Sequence, residues 1–86
     1  MSEQLIGKVT HYYSRAHVAA VQVTGGELHV GDTVHVVGHT SDFIQPVDSI
    51  EVEHTPVPLA RPGESIGIHV IDHAREHDRV FRVTAD

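Results

Sequence analysis

The sequence predicts an all-β domain, a small closed antiparallel β-barrel of about six strands. Three observations carry this. Val, Ile and Thr dominate the periodic segments, and β-branched side chains favour strands over helices. Turn signals recur at roughly 8–12 residues, the rhythm of small all-β domains. The chain has 86 residues and no cysteine, so residues 1–86 form one domain that buries only about 60–65% of its unfolded surface. Closing a Val-rich sheet on itself removes its edges.

Leu5 to Tyr13 opens the chain as a β-rich segment, and Ala16 to Thr24 alternates around Val18 and Ala20. Gly25-Gly26 marks a turn or loop. Glu27 to Val30 is a short strand closed by Gly31-Asp32. Thr33 to Val37 puts Val34 and Val36 on one face and His35 on the other. Phe43 to His54 holds Val47, Ile50 and Val52, and Pro46 makes its first half an edge or bulged stretch. Pro56, Pro58 and Pro62-Gly63 punctuate the return, the last as a type II turn. Ser65 to Ile71 places Ile66, Ile68 and Val70 on one face. Gly67 inside this strand reads as a bulge or a close backbone approach. One short helical turn is predicted near Ala74–His77, before a last strand from Val80 to Val83. There Phe81 and Val83 are expected to point inward and Arg82 outward.

Composition excludes several function classes. No apolar run approaches the roughly 20 residues of a membrane-spanning helix. Met1-Ser2-Glu3-Gln4 has neither the basic nor the apolar region of a signal peptide. Without cysteine there is no disulfide scaffold, thiolate zinc site or thiol chemistry. A cytoplasmic location is expected. The net charge of −6 opposes free-standing binding to a phosphate backbone. Protonating the nine histidines would carry that charge past neutrality.

One phrase is more specific. Gly26-Glu27-Leu28-His29-Val30-Gly31-Asp32-Thr33-Val34 resembles the G-x-L-x-V-G-D-x-V stretch in the second domain of translational GTPases of the elongation factor Tu family. Ile6-Gly7-Lys8-Val9 and Val18-Ala19-Ala20-Val21 resemble the opening strands of that barrel. Ser49-Ile50-Glu51 and the A-x-x-G stretch from Ala60 to Ile68, then Arg75-Glu76-His77-Asp78-Arg79-Val80, resemble its later part. The resemblance runs from Leu5 to Val83. There is no G-x-x-x-x-G-K-S/T loop, hence no bound nucleotide or nucleotide hydrolysis. The chain therefore resembles a stand-alone translation elongation factor-like protein without a GTPase domain.

The resemblance implies a pocket for the 3′ end of tRNA at Tyr12, Ser14, Val18, Glu51, Ser65 and His69. Tyr12 and His69 would stack a base, at about 1–3 kcal/mol per stack. Glu51 would accept a hydrogen bond from a ribose hydroxyl. Ser65 stands where the family has asparagine, and His69 where it has an apolar residue. Arg75, Arg79 and Arg82 are half of the six basic residues and form a candidate phosphate patch. Expected partners are tRNA, the ribosome or a translation-related protein.

Catalytic patterns are missing. No serine lies in a G-x-S-x-G context, and no carboxylate pair is placed by spacing. Histidines at spacing four, such as His35 and His39, lie about 13 Å apart along a strand. That is too far to share one zinc at about 2 Å per bond, so neither a metal nor another cofactor is expected. The lead reading is a non-catalytic RNA-binding module, and the rival is a protein–protein adaptor barrel with no RNA role.

Overall fold

The computed structural model describes residues 2–85 and has ten strands and no helix among them, with β-branched side chains densest in β4, where they are four of five residues. The strands are β1 (Ser2–Tyr13), β2 (Val18–Val23), β3 (Leu28–His29), β4 (Thr33–Val37), β5 (Asp42–Pro46), β6 (Ile50–Val52), β7 (Thr55–Val57), β8 (Leu59–Ala60), β9 (Ser65–His69) and β10 (Arg79–Thr84). Eight form an antiparallel sheet ordered β5-β4-β10-β1-β2-β9-β6-β7, and β3 pairs with β8 in a second, two-stranded sheet.

The inward faces converge on one core. Ile6, Val9, Val21, Leu28, Val34, Ile50, Ile68 and Val80 are all essentially inaccessible within it. Each such side chain stabilises the fold by about 1.5–3 kcal/mol of transfer free energy. The sheet curls to enclose this core because β1 bends. Its register shifts between Leu5 and Gly7 and again between Val9 and His11. Such bulges increase local twist, so one 12-residue strand pairs with β10 at its start and β2 at its end. Gly7 sits at the bend. A Cβ there would lie 2.2 Å from the Gln22 carbonyl oxygen.

The all-β class stands, but the closed barrel does not. Among the described residues no ladder joins β5 to β7, so the large sheet is open and both strands are edges. The segment from Phe43 to His54 is also divided. Val47 leaves the strand because it pairs with the Gly31-Asp32 turn, accepting from Gly31 N–H at 2.9 Å and donating to the Asp32 carbonyl at 2.8 Å. β7 and β8 go unread in the sequence because Pro56 and Pro58 mask them. The predicted helical turn at Ala74–His77 is a loop. Its backbone bonds go outward, with His77 N–H donating to the Val9 carbonyl at 2.8 Å.

Turn chemistry is legible at two glycines. Gly31 has φ +98° and Gly63 has φ +95°, and Glu64 N–H closes the Pro62-Gly63 turn on the Arg61 carbonyl at 3.1 Å. Both conformations suit glycine.

Arg82 is the clearest reversal. It pairs with Val34, and Val80 pairs with Val36. Directly opposed residues share a face, so Arg82 lies on the Val80 side and Phe81 and Val83 lie outside. The Arg82 guanidinium turns to the sheet end, donating to the Glu27 carbonyl at 3.0 Å and to Gln4 Oε1 at 2.5 Å.

Candidate functional site

A groove of about 510 Å³ crosses the outer face of β2, β9 and β6. Its floor follows from register. Ala20 opposes Gly67, and Gly67 opposes Glu51, giving one row across three strands. The neighbouring rows are Val18 with His69 and Gln22 with Ser65. The middle row has almost no side-chain volume on β2 and β9, so a trough opens there. Gly67 is therefore neither a bulge nor a left-handed residue: its pairing is regular, and a Cβ would meet only Val18 Cγ1 at 3.2 Å.

The β6–β7 hairpin forms one rim. Val52 opposes Thr55, so the turn has two central residues, Glu53 (φ +51°) and His54 (φ +64°). This is the left-handed geometry of a type I′ turn, which Asn-Gly normally supplies. Each non-glycine residue there costs roughly 1–2 kcal/mol. The turn brings Glu53 and His54 to the groove beside Glu51. Neither Glu51 nor Glu53 forms an ion pair among the described residues. Tyr13, 54% exposed, and Ala16 complete the wall. The Tyr13 ring is held edge-on by His11, with centroids 4.4 Å apart.

The six pocket residues implied by the translation-factor resemblance fall in three places. Val18, Glu51 and Ser65 line this groove. Tyr12 and Ser14 line a separate depression of about 320 Å³ with His73 and Arg75. His69 bonds Asp48 through Nδ1 at 3.2 Å. One face of Tyr12 is occupied by the His73 ring at 4.4 Å, and Ser65 Oγ donates to Gln22 Oε1 at 2.7 Å. The three arginines do not form one patch either. Arg75 is in the loop, Arg79 lies 5.8 Å over the Phe81 ring on the outer face, and Arg82 is turned to the other face. Sequence reasoning missed Tyr13, Ala20, Glu53 and His54. Only register reveals the first two, and the turn lacks the glycine or asparagine that would have announced it.

A second polar arrangement lies on the opposite half. His35 sits on the outer face of β4, in a row with Ile44 of β5, Phe81 of β10 and Leu5 of β1. Its Nδ1 meets Glu3 Oε2 at 2.8 Å and its Nε2 meets Asp42 Oδ1 at 2.5 Å. The Asp42 bond, then the Glu3 bond, raise the His35 pKa above its ordinary 6.5, against partial desolvation. A raised folded-state value means the stabilisation is complete below about 6.5 and is lost as pH rises through the folded-state value. The melting temperature is thus expected to fall as pH rises above about 6.5, and His35→Gln should flatten that slope. A wild-type slope identical to that of the variant would show the bridge to be energetically silent.

No protein-family model matches the chain. It is 37% identical over 78 residues to a collagenase of Porphyromonas gingivalis, covering 90% of this chain and 22% of that protein. It is 32% identical over 77 residues to an uncharacterized protease of Methanocaldococcus jannaschii, covering 88% of this chain and 19% of that one. The chain thus spans about a fifth of the length of these curated relatives. Two crystal structures share the fold, both of the C-terminal domain of a Geobacillus thermoleovorans protein assigned as a U32 peptidase. One has a TM-score of 0.87 at 21% identity, covering 94% of this chain and 93% of that domain. The other has 0.83 at 23%, covering 88% and 95%.

These findings overturn the translation-factor reading and the RNA-binding role drawn from it. The phrase that carried it has a local cause. Asp32 Oδ2 accepts from His29 N–H at 2.9 Å, and Asp32 N–H donates to the His29 carbonyl at 3.0 Å. Any strand turning sharply at Gly31-Asp32 profits from the same residues, whatever the protein does. What the structural comparisons show for this chain is a fold, the all-β fold of that peptidase C-terminal domain.

Proposed function

We propose that this chain is an accessory domain of U32-type peptidases, one that handles polypeptide without cleaving it. The observation that carries the proposal is the match over 90% of this chain to about a fifth of a collagenase. The matched unit is one part of a longer proteolytic protein. Its fold recurs as the C-terminal domain of a protein assigned as a U32 peptidase.

The non-catalytic part is supported by three serine hydroxyls, each committed to a carbonyl, carboxylate or amide oxygen, while Ser14 shares its depression with His11 and His73 but hydrogen-bonds neither ring among the described residues. Ser41 Oγ donates to the His73 carbonyl, Ser49 Oγ to Asp48 and Ser65 Oγ to Gln22. A serine nucleophile needs an adjacent general base such as a histidine ring. A cytosolic setting belongs to the same proposal, supported by the absence of cysteine in so small a domain.

The test is direct. Fluorescein-labelled casein and denatured collagen are incubated with the chain, following both peptide release and anisotropy. Raised anisotropy without peptide release is expected. Release of peptides by the purified chain would refute the non-catalytic part, and unchanged anisotropy with both probes would refute polypeptide handling.

A further inference from the structure

We infer that the groove over β2, β9 and β6 binds an extended polypeptide segment through a lysine or arginine side chain. This rests on the accessory-domain reading and specifies which polypeptides the domain takes. The aliphatic stem would lie in the trough above Ala20 and Gly67, and the cationic head would reach Glu51 and Glu53.

Four features of the groove agree on this ligand. Its floor is apolar and low, with Val18, Ala20 and Gly67, and basic side chains bury their stems on apolar surface while their heads stay polar. The trough ends on Glu51, directly across from Gly67, and Glu53 stands two residues further along the same hairpin. Both carboxylates are exposed and free of ion pairs among the described residues. A cation arriving there has no resident lysine or arginine to displace. His54 is the one other titratable group on that rim, and no lysine or arginine lines the groove. The exposed Tyr13 ring supplies a face for a cation at the wall.

Long-range charge points the same way. The chain's net charge of −6 draws a cationic segment and repels a nucleic acid. The strained Glu53-His54 turn is consistent with this, because it presents a carboxylate at the rim where Asn-Gly would relax the backbone.

The experiment uses the whole chain and two labelled peptides of equal length, one alternating lysine with alanine, the other glutamate with alanine. Anisotropy titration at low salt should show saturable binding of the lysine peptide alone. The double variant Glu51→Gln/Glu53→Gln should weaken it by roughly tenfold or more. Gly67→Leu fills the trough and should weaken it comparably while leaving both carboxylates in place. Glu3→Gln/Glu27→Gln removes the same net charge away from the groove and should change affinity by less than about twofold. Circular dichroism on each variant confirms that the fold is retained.

Equal weakening by the two double variants would mean diffuse attraction and would overturn the groove. So would equal binding of both peptides, or a Gly67→Leu affinity equal to wild type. Saturation by a second copy of the chain, seen as a dimer in sedimentation that Gly67→Leu abolishes, would assign the groove to self-association instead. If denatured collagen still raises anisotropy when the groove variants lose nothing, the accessory reading stands and the groove alone is wrong.

Discussion

Replacing Ile68 by alanine is expected to lower the melting temperature by roughly 10–40 °C. Ile68 is 1% exposed and opposes Ala19 of β2 and Ile50 of β6. The partners cannot both move in, because each is fixed by its own ladder. An unfilled cavity of that kind costs about 2–5 kcal/mol, and each kcal/mol shifts a domain of this size by about 4–8 °C. Ile68→Val should cost only about 0.5–1.5 kcal/mol. Thermal circular dichroism decides the matter, and an Ile68→Ala shift below about 5 °C would mean that the core collapses around the deletion. Gly67, one residue earlier, faces the groove on the other side of the same strand. Gly67→Leu should therefore affect binding far more than stability, the reverse of Ile68→Ala.

The second large effect concerns Gly38 and Asp78, 40 residues apart in sequence. Asp78 is 3% exposed. Its Oδ2 accepts from Arg75 N–H at 2.9 Å, and its carbonyl accepts from Val9 N–H at 2.8 Å. It thus pins the 70–78 loop to β1. A Cβ at position 38 would lie 1.7 Å from Asp78 Oδ1, so only glycine leaves room for the carboxylate. Asp78→Ala should cost about 1–3 kcal/mol by orphaning the Arg75 donor. Gly38→Ala should cost a similar amount by overpacking. The two should not add. Once the carboxylate is gone, the methyl at 38 has space, so the double variant should resemble Asp78→Ala, with a coupling of about 0.5–3 kcal/mol. Urea midpoints at unchanged slope give the four corners of the cycle. Strict additivity would disprove the contact.

The sequence made the strands legible where one phase of alternation is clean. Val34 and Val36 against His35, and Ile66 with Ile68, point as expected because only one phase is apolar. In residues 80–83, Val-Phe-Arg-Val, the wholly apolar phase of Phe81 and Val83 predicts the inward face, whereas the mixed phase of Val80 and Arg82 is the one that faces in. Pairing with β4 settles it. Local turn chemistry was equally readable at Gly31 and Gly63. Openness of the sheet was not, because it depends on whether β5 meets β7, which no local pattern encodes. Buried polar anchors were also hidden. Gln45 donates to the His69 carbonyl at 2.8 Å and accepts from Ile71 N–H at 2.7 Å, yet nothing in its neighbourhood distinguishes it from a surface glutamine. Of the groove, Val18, Glu51 and Ser65 were named, but through a resemblance whose functional content failed. The row Ala20–Gly67–Glu51 that creates the trough exists only once three strands are in register.

The two edge strands of the large sheet each hold a proline, Pro46 in β5 and Pro56 in β7. A proline has no amide hydrogen to offer. Each margin of the sheet therefore presents an interrupted row of donors, and neither is a continuous template for another chain. This matters for a domain proposed to work beside unfolded polypeptide, which brings extended backbone to its surface. The prolines make both margins poor sites for strand addition, and under the proposed function side-chain contacts in the groove would then be the route of capture. Replacing both with threonine would restore the missing donors, and growth of thioflavin-positive aggregates in the presence of casein would then be the signature of strand addition at those margins.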